Sequence, residues 1–226
     1  MIVAIIAARG GSKRIPKKNL IDFCGKPLLW WTIDQAMMCT KIDKVYVSSD
    51  DDEILSYANK LCSVIQRPPN LATDEATSDM VWNHAVKTIT EQVDVIVGLQ
   101  CTSPLRFPED IDDSISMLHN DKLDSVVSVC LEDDLFLWDH LGRQVTFSKI
   151  DRKLKGKFYR ENGSIYVFKR QVIESPDSGY TRYGQKTGFF VMKDWQGFEI
   201  DEPGDVEICE YFMRKKVLSG ETVHNR

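Results

Sequence analysis

Residues Ile2–Ala7 run Ile-Val-Ala-Ile-Ile-Ala without a polar interruption. A strand with one wet face alternates apolar and polar side chains, so a short unbroken run reads as a strand covered on both faces. That is the pattern of a parallel sheet clothed by helices. The chain that follows keeps the rhythm. Pro27 can open a helix running to about Cys39, Lys44–Ser48 is a second strand, and Asp51–Leu61 is a helix with acids in its first turn. Ser78–Glu91 reads as helix, Asp94–Leu99 as strand, Pro108–His119 as helix and Leu123–Cys130 as strand. Strands alternating with helices give an α/β fold with a mostly parallel sheet. Between Leu131 and Tyr159 the periodicity weakens, so residues 131–160 are expected to leave the core as a hairpin or lid. Strand patterns return at Ser164–Phe168 and Thr187–Met192, Glu202–Leu218 closes the chain as a helix, and the tail after Ser219 frays. No repeat or linker divides residues 1–226, which read as one domain with that excursion.

Charge and cysteine usage narrow the class of partner. A formal net charge of -5 argues against nucleic acid, which calls for a basic excess. No apolar run approaches the roughly 20 residues that span a bilayer, so no membrane role is expected. The opening apolar run has no basic segment before it and does not read as a signal peptide. The six cysteines form no CxxC pair and have no histidine at ligand spacing. Scattered thiols without a secretion signal suggest a reduced, cytoplasmic setting.

The sharpest local feature lies directly after the first strand: Ala8-Arg9-Gly10-Gly11-Ser12-Lys13-Arg14-Ile15-Pro16-Lys17-Lys18-Asn19, with five cations in ten residues. A loop leaving the carboxyl end of such a strand opens into the ligand crevice. Adjacent glycines let main-chain N–H groups approach an anion, and Lys and Arg offset polyphosphate charge. A solvated basic loop is the plainer alternative. The loop is neither a Walker A motif nor GxGxxG, which disfavours GTPases, the ATPases of that type and NAD-dependent enzymes.

Several separated stretches could build a site around it. Asp50 through Glu53 could hold a metal, but a helix N-terminus explains four acids in a row as well, and is preferred. Arg67-Pro68-Pro69-Asn70-Leu71-Ala72-Thr73-Asp74 is a stiff, irregular rim before Ser78, which could cap a helix, contact a ligand or do both. Gln100-Cys101-Thr102-Ser103-Pro104-Leu105-Arg106 places amide and hydroxyl groups at a strand's carboxyl end, where they suit a polyhydroxylated ligand. In Phe198-Glu199-Ile200-Asp201, an extended backbone would point Glu199 and Asp201 to one face, a fitting pair of oxygen ligands for Mg²⁺. Asp205 opens or caps the closing helix.

Ala-Arg-Gly-Gly-Ser-Lys-Arg-Ile-Pro-x-Lys-Asn followed by Gly25-Lys26-Pro27-Leu28 resembles the opening of the acylneuraminate cytidylyltransferases, or CMP-sialic acid synthetases. Related bacterial members activate pseudaminic and legionaminic acids. The resemblance continues through the stretches above to about Tyr211. It implies a Rossmann-like three-layer nucleotidyltransferase fold with a small dimerisation excursion, acting in cell-surface polysaccharide biosynthesis. The partners it implies are CTP, an acidic nine-carbon sugar and a second copy of the chain, with Mg²⁺ as cofactor and pyrophosphate as the other product.

The same resemblance implies residue roles. Arg9, Ser12, Lys13 and Lys18 would contact the triphosphate, with the Gly10 and Gly11 backbone beside them. Asn19 would meet the nucleotide, and the backbone of Ala7 and Ala8 the cytosine. Arg67, Ala76 and Ser78 would surround the base; Gln100, Thr102 and Ser103 would meet the sugar. In Tyr159-Arg160-Glu161-Asn162-Gly163, Arg160 would pair with the sugar carboxylate and Asn162 with its hydroxyls. Lys18, Arg9 and Asp201 would carry catalysis, and Asp201 with Glu199 the metal. The general base is open between Asp201 and a metal-bound hydroxide. The chain departs from the family at Cys101, usually Pro, and at Glu199, usually Asp. Lys149, Arg152, Lys153, Lys155 and Lys157 form a second basic cluster, which either fills a partner's site or is solvated. A CMP-Kdo synthetase and a non-catalytic nucleotide or sugar binder are the alternative functions.

Overall fold

The computed structural model describes residues 1–132, 139–143, 158–174 and 181–219. The chain opens with β1 (Ile2–Ala7), a small antiparallel hairpin of β2 (Asp22–Phe23) and β3 (Lys26–Pro27), and α1 (Leu28–Met38). Next come β4 (Lys44–Ser49), α2 (Asp52–Ala58), β5 (Ser63–Gln66), α3 (Ser78–Thr88), β6 (Val95–Gln100) and α4 (Pro108–Asn120). The remaining elements are β7 (Ser125–Glu132), β8 (Phe158–Lys169), α5 (Arg170–Glu174), β9 (Thr187–Met192) and α6 (Pro203–Phe212). A π-helical turn, Met213–Val217, continues the last helix.

One seven-stranded sheet carries the fold, in the order β5-β4-β1-β6-β8-β7-β9. Its pairings are parallel except around β8, which runs antiparallel to β6 and β7. The apolar run of β1 lies near the centre, and Val3 through Ile6 are fully buried. One sheet face packs on α1, α2 and α4 through Ile33, Ile54 and Ile115. The other packs on α3 and α5 through Trp82, Val86 and Ile173. A third apolar cluster, with Ile15, Phe23, Leu28, Leu105, Ile200 and Met213, joins the basic loop, the β2–β3 hairpin and α6. Three layers result, with helices on both faces as the apolar strands demand. Among the described residues, no helix is long and apolar enough to cross a membrane.

Some expectations shift. Pro27 precedes α1 instead of opening it, because the β2–β3 turn holds it in extended backbone (φ -55°, ψ 140°). The turn itself uses left-handed backbone at Cys24 and Gly25 (φ 52° and 83°). Leu131, Glu132 and Phe158–Arg160, expected in the excursion, belong to β7 and β8 and pair with one another. The rest of that excursion, with the cluster of Lys149, Arg152, Lys153, Lys155 and Lys157, lies outside the described residues except for Asp139–Arg143. Thr77 caps α3 by accepting the Met80 N–H, so Ser78 is its first residue and not its cap.

Candidate active site

The carboxyl ends of β1, β4 and β6 face one way, and a cleft of about 480 Å³ opens beyond them. Its wall combines the loop after β1, the Pro-rich rim before α3, the segment after β6 and the acidic arm before α6. Each wall has a local cause. Asp50 accepts the Gly10 N–H at 3.1 Å, and Asp51 caps α2 by accepting from Glu53 and Ile54, so the acidic run is structural. A Cβ on Gly10 would stand 2.5 Å from the Asp51 carboxylate, so only glycine lets the loop approach α2 this closely. Further along, Lys17 takes left-handed backbone (φ 51°). Lys17 then reaches out to Glu53, while Lys18 turns in and donates to the Ile200 carbonyl at 2.8 Å and Asp201 Oδ1 at 2.9 Å.

The acidic arm is docked by the Ile200 N–H, which donates to the Thr102 carbonyl at 2.7 Å. Asp205 closes the start of α6 by accepting from the Asp201 and Glu202 amides. Those two bonds hold its carboxyl below the usual range. Glu199 turns inward toward Ser103. Burial, then the neighbouring Asp201 charge, pushes its carboxyl up, against a hydrogen bond from Ser103. Glu199 lies so close to Gly163 (φ 66°) that a Cβ there would overlap Oε1.

Most of the residues expected to form the site do meet in this cleft: Ala7, Arg9, Ser12, Lys13, Lys18, Asn19, Arg67, Ala76, Ser78, Gln100, Thr102, Glu199 and Asp201 all line it. Ala8 and Ser103 are buried just behind it. The Gly10 amide is taken by Asp50, so it is not available to an anion. Asn162 is fully buried and away from the cleft wall. Its amide oxygen accepts from Ser128 at 2.6 Å and its nitrogen faces Cys130 and Met192 sulfurs, so it fastens the irregular register where β7 meets β8. Arg160 is half exposed and paired with Glu132 at 3.0 Å, though its charge still reaches Glu199.

Three residues in and behind the wall were not singled out from sequence. Arg14 holds Asp201 at 3.3 Å and Glu202 at 3.1 Å. Asp74 sits between Arg9 at 3.0 Å and Lys13 at 2.5 Å, bonds that hold its carboxyl down. Both stood inside the quoted motifs; only the pairing across the cleft was invisible. Arg106, fully buried, braces the segment after β6 with bonds to Gln35 Oε1, Thr32 Oγ1 and the carbonyls of Gln100 and Ser164. Arg67 is likewise buried against Ser48, and burial pushes its guanidinium down to about 10.

Glu199 and Asp201 are hard oxygen donors that line the same cleft as the cations. Among the described residues, no three His, Cys, Asp or Glu side chains are grouped to hold a metal by themselves. That donor set fits Mg²⁺, which commonly takes one or two carboxylates and completes its shell with water and substrate phosphate oxygens.

A family model described as cytidylyltransferase matches residues 3–221. The chain belongs to the cytidylyltransferase family. Within that family it is 31% identical over 227 residues to N-acylneuraminate cytidylyltransferase A of Danio rerio, covering 92% of this chain and 50% of the relative. It is 31% identical to a pseudaminic acid cytidylyltransferase of Campylobacter jejuni, covering 83% of this chain and 76% of that one. It is 29% identical to the post-translational flagellin modification protein B of Campylobacter coli, over 96% and 97%. The chain thus spans about half of the fish relative and almost all of the flagellin modification protein. The cytidylyltransferase fold is also that of solved structures of low identity. CMP:2-keto-3-deoxy-manno-octonic acid synthetase complexed with CTP superposes with a TM-score of 0.73 at 19% identity, covering 95% of this chain and 98% of that one. The 4-diphosphocytidyl-2C-methyl-D-erythritol synthase of Anaerococcus prevotii gives 0.68 at 16% identity, over 94% and 96%.

Proposed function

We propose that the protein transfers CMP from CTP to an acidic nine-carbon sugar of the sialic, legionaminic or pseudaminic type, releasing pyrophosphate. The observation that carries this reading is the cleft itself: the cations of one glycine-bearing loop and the carboxylates of Glu199 and Asp201 line a single pocket, where Lys18 and Arg14 meet Asp201. Relatives named for N-acylneuraminate and pseudaminic acid support the sugar class.

In this reading the sugar hydroxyl attacks the α-phosphorus of CTP, and the bond to the departing pyrophosphate breaks. Crowded anionic oxygens repel such a nucleophile, so the work of the protein is positioning and charge stabilisation. Arg9 and Lys18 offset charge at the reacting phosphate and Lys13 at the outer phosphates. Arg67, Ala76 and Ser78 bound the base; Gln100 and Thr102 present polar groups to the sugar. Glu199 and Asp201 would hold Mg²⁺, which supplies further neutralisation of phosphate charge. The hydroxyl proton passes to Asp201 or to solvent-derived base at the same end of the cleft.

A homodimer in a cytoplasmic setting completes the proposal. Leu131 faces Tyr159 across β7 and β8, and Phe189 and Val191 face Val127 and Val129 across β7 and β9. Leu131, Tyr159, Phe189 and Val191 are all exposed, forming an apolar face beside the excursion that suits a second copy.

Pyrophosphate release from CTP, assayed with N-acetylneuraminic, legionaminic and pseudaminic acids and with Kdo, tests the reading. Turnover with a nine-carbon acid is expected. Turnover with Kdo alone would move the assignment to the eight-carbon acid, and turnover with none of them would contradict the enzyme reading.

A further inference from the structure

One oxygen, Asp201 Oδ1, carries two cations: Lys18 Nζ at 2.9 Å and Arg14 Nη2 at 3.3 Å. They are held unequally. The Lys18 side chain is 12% exposed and also donates to the Ile200 carbonyl at 2.8 Å. The Arg14 side chain is 55% exposed, and its other partner is the exposed Glu202 at 3.1 Å. Arg14 nevertheless belongs to the cleft wall, beside Lys13, Lys18 and Asp201. A divalent cation taken up by a carboxylate oxygen repels the monovalent cations already on that oxygen, because like charges a few ångströms apart are costly. The less anchored one gives way, and that is Arg14.

Resting on the reading above, in which Asp201 binds the metal, we propose that Arg14 is a phosphate-binding residue whose availability is set by the metal. Asp201 and Glu202 hold it back in the arrangement described, and metal binding at Asp201 frees its guanidinium for the phosphates of CTP. Arg14 thereby couples the two ligands: metal at Asp201 strengthens nucleotide binding through a residue that does not touch the metal. Reciprocity requires that nucleotide strengthen metal binding by the same factor. A planar fork of donors suits phosphate oxygens once the acids let go.

The test compares wild type with R14Q, measuring Mn²⁺ binding without nucleotide by electron paramagnetic resonance. CTP binding is measured by calorimetry with chelator and with Mg²⁺. Without nucleotide, R14Q should bind Mn²⁺ about two- to fivefold tighter, because the competing cation is gone; this is the range for a partly exposed ion pair. CTP affinity in chelator should stay within about twofold of wild type. With Mg²⁺ it should fall by about tenfold or more, the range for a lost charge-assisted bond. An equal fall with and without metal would make Arg14 a standing contact and overturn the proposal. Unchanged or weaker Mn²⁺ binding would overturn it too. Wild-type protein that binds no CTP under either condition would instead overturn the nucleotide reading on which the proposal rests.

Discussion

The Arg106 guanidinium is fully buried and bonded to neutral oxygens, and burial pushes it down to about 10. Replacing it with methionine fills a similar shape but strands its acceptors. Gln35 Oε1 and the Ser164 carbonyl cannot turn away as the Thr32 hydroxyl can, whereas the Gln100 carbonyl keeps the Ser103 N–H at 3.4 Å. At about 2 kcal/mol for each of these two stranded acceptors, the loss is about 4 kcal/mol. Relief from burying a charge, gauged from the depressed guanidinium, returns roughly 3 kcal/mol. R106M should therefore lose about 1 kcal/mol, a fall in Tm of about 2–4 °C for a chain of this size. Thermal unfolding followed by circular dichroism measures this, with urea unfolding as a check. Because Gln100 begins the segment that lines the cleft, binding to the candidate site should weaken as well. A Tm equal to or above that of wild type would show that the acceptors find water or other partners, and would refute the role given to this arginine.

Other substitutions probe the cleft more locally. G163A places a Cβ in left-handed backbone and onto Glu199 Oε1, so it should cost about 1–2 kcal/mol in backbone strain alone and displace the acidic arm; unaltered Tm and turnover would contradict the geometry. D74N removes the carboxylate that Arg9 and Lys13 share, so CTP should bind about two- to fivefold tighter by calorimetry; weaker binding would make Asp74 a ligand contact. Glu199 holds its proton more tightly when folded, mainly through burial, so protonation adds stability below the ordinary Glu range that is lost as pH rises through the raised value. E199Q should accordingly unfold at a higher temperature than wild type at neutral pH, with the gap closing under acid, while metal-dependent turnover falls. A lower Tm for E199Q at neutral pH would refute this.

Much of the architecture was legible because burial on both faces leaves so direct a mark. The runs at Ile2–Ala7 and Thr187–Met192 became β1 and β9 with the bounds the pattern gave. The short β5 was missed, since Ser63-Val64-Ile65-Gln66 holds only two apolar residues, and the β2–β3 turn depends on left-handed Cys24 and Gly25, which periodicity does not report. Within the candidate site, the motifs identified the walls but not the pairings. Nothing in the spacing of Arg14 and Asp201, or of Lys13 and Asp74, reveals that loop and rim segments meet. Asn162 shows the reverse: a polar residue in a promising motif is spent on Ser128 and the bulged strand pair. Sequence order gives the side chain; only the register of β7 against β8 decides which way it points.

A crystal structure determined with CTP and magnesium would decide whether this cleft is the nucleotide site. The phosphates should lie against Arg9, Lys13 and Lys18, the cytosine beside Arg67, Ala76 and Ser78, and the metal on Asp201. CTP bound at any other surface, with the Ala8–Asn19 loop facing solvent and Asp201 still paired with Lys18 and Arg14, would contradict that assignment.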